Sequence, residues 1–183
     1  MRKSLFSWFF ISLVLSSWGF VTFSEEIRME SSKKNWSVFV PEDKKECFIA
    51  SQSVKDEAFR NGEKLSNVNR DRGVLFIKKS PSSPAGFEGA FDAGYPLKIG
   101  GKFSLTIDNE AKFVFLAHPK PKNSTEKYWA WTQSHDDLKL VNKLKVGSKA
   151  VLKAISHRGT ITKDTFILTG FTKAIERLME LCD

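Results

Sequence analysis

Apolar and polar positions alternate along much of this chain with the two-residue period of strands, and short turn-like segments interrupt the alternation. Residues 36–40 read as a first strand, 41–46 as a charged turn and 47–50 as a second strand, together an opening hairpin. Residues 52–72 are polar without sustained periodicity and read as a surface excursion. Residues 73–78 form a short apolar run. Residues 80–86 (SPSSPAG) make a loop by composition, and 88–95 read as a strand whose glycines suggest a bulge or a close backbone approach. The clearest hairpin follows. Phe103, Leu105 and Ile107 share one face of 102–107, Asp108-Asn109 turn the chain, and 112–117 return. After a loop at 119–127, residues 128–131 (YWAW) form an aromatic strand.

Two segments carry the helical period instead. Ser134 is a suitable N-cap, Asp136 and Asp137 fall in the first turn, Leu138, Val141 and Leu144 make one stripe, and Gly147 ends the helix. Residues 151–155 and 165–168 are strands around a turn at 157–160. Gly170 breaks the pattern, and 171–181 form a last helix with Phe171, Ala174, Ile175 and Leu178 on one side. Eight or nine short strands and two short helices, one at the C-terminus, predict a mainly β antiparallel sandwich or partly open barrel.

The first 24 residues differ from the rest. Arg2 and Lys3 precede an apolar core over 5–15, and Thr22 and Ser24 are small residues placed for a cut before Glu25. This is the layout of a secretory signal peptide. A retained anchor is the alternative, since residues 5–23 are just long enough to span. Ser16, Ser17 and Gly19 weaken that span, and Glu25 and Glu26 follow it at once. The organisation read from sequence is therefore a signal peptide at 1–24, a flexible leader at 25–34 and one β-rich domain at 35–183, with no membrane span once the signal is removed.

Composition narrows the function classes. The chain of 183 residues has a net charge of +8, and only Arg2 and Lys3 of its 29 basic residues lie in the signal, so the domain stays basic. Its lysines come as scattered pairs (Lys33-Lys34, Lys44-Lys45, Lys78-Lys79) rather than as one stripe, which argues against nucleic acid and for a solvated basic surface or attraction to an anionic envelope surface. Two cysteines are too few for a cysteine-only zinc site. In an exported chain Cys47 and Cys182 read as a disulfide, the alternative being two buried thiols.

Catalytic constellations are missing from the sequence. His118, His135 and His157 each sit in a different turn, with no HExxH spacing, so no metal and no cofactor is expected. There is no GxSxG elbow, P-loop or GxGxxG. Trp36, Trp129 and Trp131, with Phe113 and Phe115, are candidates for a ligand-facing aromatic platform, although strand aromatics commonly belong to the core.

Several blocks taken together carry a resemblance: 35–39 (NWSVF), Lys45-Glu46-Cys47, 92–96 (DAGYP), Trp129-Ala130-Trp131, Arg158-Gly159-Thr160, 163–166 (KDTF) and 168–175 (LTGFTKAI), with a cysteine near the end. The chain resembles the invasion-associated locus B family of alphaproteobacterial exported proteins. The resemblance implies a signal peptide, a β-rich domain without established catalytic residues, and a periplasmic or secreted bacterial location. The expected function is a non-enzymatic envelope protein that binds an envelope or surface component or another protein. The alternative is a secreted or surface-displayed host-cell invasion or adhesion factor.

Overall fold

The computed structural model describes residues 27–66, 68–81 and 83–182, so the candidate signal peptide at 1–24 lies outside the described residues. Twelve strands follow in order: β1 (Ile27–Lys33), β2 (Trp36–Pro41), β3 (Phe48–Gln52), β4 (Lys55–Arg60), β5 (Glu63–Lys64), β6 (Val74–Lys79), β7 (Phe87–Asp92), β8 (Lys102–Ile107), β9 (Ala111–Ala117), β10 (Trp129–Thr132), β11 (Lys149–Ile155) and β12 (Ile161–Ile167). Helix α1 (Asp137–Val146) lies between β10 and β11, and α2 (Phe171–Leu181) closes the fold. The strands make one antiparallel sheet ordered β1-β2-β3-β6-β7-β10-β9-β8-β11-β12-β4-β5. The protein is thus mainly β with a C-terminal helix, and its sheet is not closed edge to edge.

The chain nevertheless folds this sheet onto itself. Only Ser53 and Val54 separate β3, near one end of the strand order, from β4, near the other. The Ser53 N–H donates to the Gly73 carbonyl beside β6, and the next N–H, of Val54, donates to Thr165 in β12, both at 2.8 Å. One bent segment therefore serves both halves, and their inner faces meet. Phe91 of β7 touches Phe166 of β12 edge-on, with ring centroids 6.4 Å apart. Alternate residues supply the interior: Val38, Ile49, Leu75, Ile77, Leu105, Phe115, Leu152 and Phe166 are all buried.

Both helices cover this interior. The stripe Phe171, Ala174, Ile175 and Leu178 of α2 is buried, and the helix contacts β1, β2 and β3. Cys182 at its end is bonded to Cys47 just before β3, with Cα atoms 6.4 Å apart. At its start, Gly170 has φ of 101°, and a Cβ there would lie 1.8 Å from the Lys33 carbonyl oxygen. Only glycine fits. Helix α1 approaches β7 over Gly89, where a Cβ would lie 2.8 Å from Leu140, the close approach that the glycines of this strand suggested. Buried Asp137 anchors it by accepting hydrogen bonds from the Gly89 N–H and the Thr132 hydroxyl.

Four local expectations are corrected. Residues 27–33, read as part of a leader, form β1, an edge strand paired with β2; its polar sequence hides it. Residues 52–72 hold β4 and β5. The inward positions of β4 are Asp56 and Ala58, opposite Asp164 and Thr162, so no apolar period betrays it. Helix α1 starts at Asp137 because residues 133–136 form a turn in which the Asp136 N–H donates to Gln133. Its buried stripe is Leu140, Val141 and Leu144, while Leu138 is 51% exposed. Strand β12 begins at Ile161 rather than at residue 165.

Two outcomes follow. Cys47→Ser or Cys182→Ser should lower the melting temperature by several degrees and release α2 first, as read by amide hydrogen exchange. The loop removed from the unfolded chain spans 135 residues, for which loop entropy sets an upper bound of about 5 kcal/mol. Gly170→Ala should destabilise by about 2 kcal/mol or more in urea unfolding, through its backbone conformation and the contact with Lys33.

Candidate functional site

The structure separates the sequence-predicted aromatics. Trp36 points inward. It is fully buried, meets Phe171 edge-on at 4.9 Å between centroids, and donates its indole N–H to the Ile167 carbonyl at 3.2 Å. It holds α2 and does not face a ligand. Phe113 and Phe115 are also buried in the interior. Trp129 and Trp131 are partly exposed on the outer face of β10.

There they join three phenylalanines that the sequence reading left out. Phe39 stacks on its cross-strand partner Phe48 at 4.9 Å between centroids. Phe48 meets Phe76 at 5.7 Å, Phe76 meets Trp129 at 5.1 Å, and Trp129 stacks on Trp131 at 6.4 Å. The row crosses β2, β3, β6 and β10, with small Ala90 of β7 paired between Phe76 and Trp131. It is extended by Met29, 62% exposed and opposite Phe39, and by Leu116 opposite Trp131. A detectable signal for the phenylalanines was strand parity: in β2 and β6, Phe39 and Phe76 fall out of step with the residues that enter the core.

Beyond Leu116 the outer face changes character. Lys102 lies opposite Leu116, and the outward positions of β9, β8 and β11 carry Lys112, Lys102, Lys149 and Lys153 but no carboxylate. Among the described residues none of these four lysines has a carboxylate within ion-pair distance. Lys163 of β12, opposite Lys153, sits over the Phe59 ring at 4.8 Å. An apolar aromatic field thus borders an uncompensated basic one.

A second polar locus lies inside. Asp164 of β12 faces the interior, opposite Asp56 of β4, and like charges so paired repel. Arg70, from the segment before β6, resolves the conflict by an ion pair to Asp164 and a second at 3.6 Å to Asp56, while Asp56 also accepts from the Ser53 hydroxyl. The guanidinium lies 5.3 Å from the centre of the Tyr95 ring, and the Tyr95 hydroxyl is hydrogen-bonded to Thr162 at 2.6 Å. Burial pushes the Asp164 carboxyl up to about 7 against the pull of Arg70, and also raises the Tyr95 phenol. A buried pair with one strongly raised carboxyl is also a common catalytic arrangement. Here the Asp164 carboxyl is fully enclosed and engaged by Arg70, so it ties the segment carrying Arg70 to β12. Among the described residues no three His, Cys, Asp or Glu side chains are grouped to hold a metal ion.

Asp164 gives a pH signature of known sign. Its carboxyl binds a proton more tightly folded, near 7, than at its ordinary 3.8. Its contribution to stability is therefore fully present below about pH 4 and is lost as pH rises towards 7. The melting temperature of the protein minus that of Asp164→Asn should fall between pH 4.5 and 7.5. A difference that is flat or rises across this range contradicts the assignment.

Compared with known proteins, the chain matches no family model, no curated protein and no solved structure.

Proposed function

We propose that this is an exported, non-enzymatic envelope protein that seats its outer face on an anionic phospholipid surface. The observation that carries the reading is the junction of the two fields: the ring row Phe39, Phe48, Phe76, Trp129 and Trp131 beside Lys102, Lys112, Lys149 and Lys153, which make no ion pair among the described residues. Partly exposed tryptophans suit the boundary between water and acyl chains, having an apolar body and a polar N–H. Lysines near an anionic lipid surface each add about 1 kcal/mol, weakened by salt. Export is supported by the composition of residues 1–24 and by the disulfide, which suits an oxidising compartment. The resemblance to invasion-associated locus B proteins implies the same location. No helix among the described residues is long and apolar enough to cross a membrane, so the attachment proposed is peripheral.

The test is sedimentation of the protein lacking residues 1–24 with vesicles of phosphatidylglycerol and phosphatidylethanolamine, against vesicles of phosphatidylcholine alone. Binding to the anionic vesicles only, reversed by 0.5 M salt and accompanied by a blue shift of tryptophan emission, is expected. Lys102→Gln with Lys153→Gln should weaken binding about tenfold or more while leaving the melting temperature within a degree or so. Trp131→Ala should reduce the blue shift, leaving the part due to Trp129, and also destabilise by about 1 kcal/mol, because cross-strand rings support the sheet. Equal partition to both vesicle types, or to neither, overturns the lipid reading.

A further inference from the structure

Strand β12 runs from the helices at its C-terminal end to a cleft at its start, where the β11–β12 turn meets the ends of β4 and the 95–96 segment. The cleft encloses about 340 Å3, at the small end of the range for small-molecule sites. Its walls include Arg60, Arg70, Arg158 and His157 and no Asp or Glu. The three arginines are not equivalent. Arg70 is spent on Asp164 and Asp56 behind the wall. Arg60 donates one hydrogen bond, to the Thr160 hydroxyl at 2.8 Å, and Arg158 makes no side-chain hydrogen bond or ion pair among the described residues. Neither has a carboxylate partner. Two carboxylates lie nearby: Glu57 is engaged by Lys64 and Lys55, which hold it below its ordinary range, and Glu63, opposite Arg60 across the β4–β5 ladder, makes no ion pair with it among the described residues.

Two guanidinium groups without ion-pair partners, one at the end of β4 and one in the β11–β12 turn, line the same cleft and suit an anion, because each offers a planar fork of donors that matches an oxyanion. Thr160 fixes the Arg60 fork, and the His157 ring is tied to the Pro96 carbonyl at 3.2 Å, so part of the rim is pre-organised. Beside the polar Asn69, Ser156, Thr160 and Thr162, one part of the lining is apolar: Leu65, Val68, Pro96 and the ring of Tyr95, itself held by Thr162 and Arg70. A bare inorganic ion leaves that wall uncovered. We propose that the cleft binds a small organic anion, a carboxylate or phosphate held between Arg60 and Arg158 with an apolar body against Tyr95 and Pro96. This site is separate from the outer aromatic face and stands or falls independently of it.

Thermal shift and calorimetric titration with phenyl phosphate, benzoate and the neutral benzyl alcohol test the inference on the protein lacking residues 1–24. At ten times its dissociation constant a ligand specific for the native state raises the melting temperature by about 3 °C. Phenyl phosphate or benzoate should do so, and benzyl alcohol should not. Arg158→Gln alters an exposed side chain with no partner and should fold as the parent does, while lowering affinity about tenfold. Arg60→Gln should act likewise and Arg60→Lys should retain part of the affinity, whereas Lys153→Gln on the outer face should leave it unchanged. Absence of a shift with both anions, an equal shift with benzyl alcohol, or a shift that survives the combined Arg60→Gln and Arg158→Gln change overturns the proposal.

Discussion

The two-residue passage from β3 to β4 is the constraint on which the rest of the architecture depends. An open antiparallel sheet of twelve strands has two edges and two faces, and nothing in its hydrogen bonding decides which face is dry. Ser53 and Val54 are too short a link to bridge two distant edges of a flat sheet. The sheet must curl until β4 reaches β12 while β3 stays on β6. Curling creates an inside, and with it the assignment of every alternating side chain to core or surface. The glycine at position 73 sits at this corner, where a Cβ would lie 2.9 Å from Phe91 and 3.1 Å from Asp164.

Curling leaves an opening that the helices cover. Helix α2 is short, and isolated helices of this length are marginal in water, so its stability comes from what it touches. Trp36 serves it twice, by its ring against Phe171 and by its indole N–H on the last carbonyl of β12. Gly170 lets the chain turn tightly against Lys33, and the bond from Cys182 to Cys47 ties down the far end. Helix, first hairpin and last strand thus form one unit, assembled from residues as far apart in sequence as Lys33 and Gly170.

Charge is divided by the same geometry. Two carboxylates, Asp56 and Asp164, are brought face to face across a ladder, and Arg70 must enter to neutralise them. That ordering holds the segment before β6 across the end of the interior and shapes the cleft above it. On the outside, the lysine side chains of β8, β9 and β11 make no ion pair among the described residues, so a basic field lies beside the aromatic row.

How much of this was legible in the sequence depended on local periodicity. Alternation located most of the strands, the i, i+3, i+4, i+7 spacing placed α2 at its observed bounds, and an even pair of cysteines named the disulfide. Strands β1 and β4 were not legible, because an edge strand and a strand whose inward positions are Asp56 and Ala58 bury too little to show a period. Trp129 and Trp131 were recognisable as surface candidates, but Trp36 was indistinguishable from them. Where both parities of a strand are apolar, as with Trp36, Val38 and Val40 against Phe39, period two says which residues share a face and not which face is covered. The sequence by itself determined most of the segments, the fold class and the cross-link, because these follow from local patterning and residue chemistry. Only the tertiary structure decided which face became core, that five rings line up across the sheet, and that Asp56, Arg70 and Asp164 converge, because these depend on which distant strands become neighbours when the sheet curls.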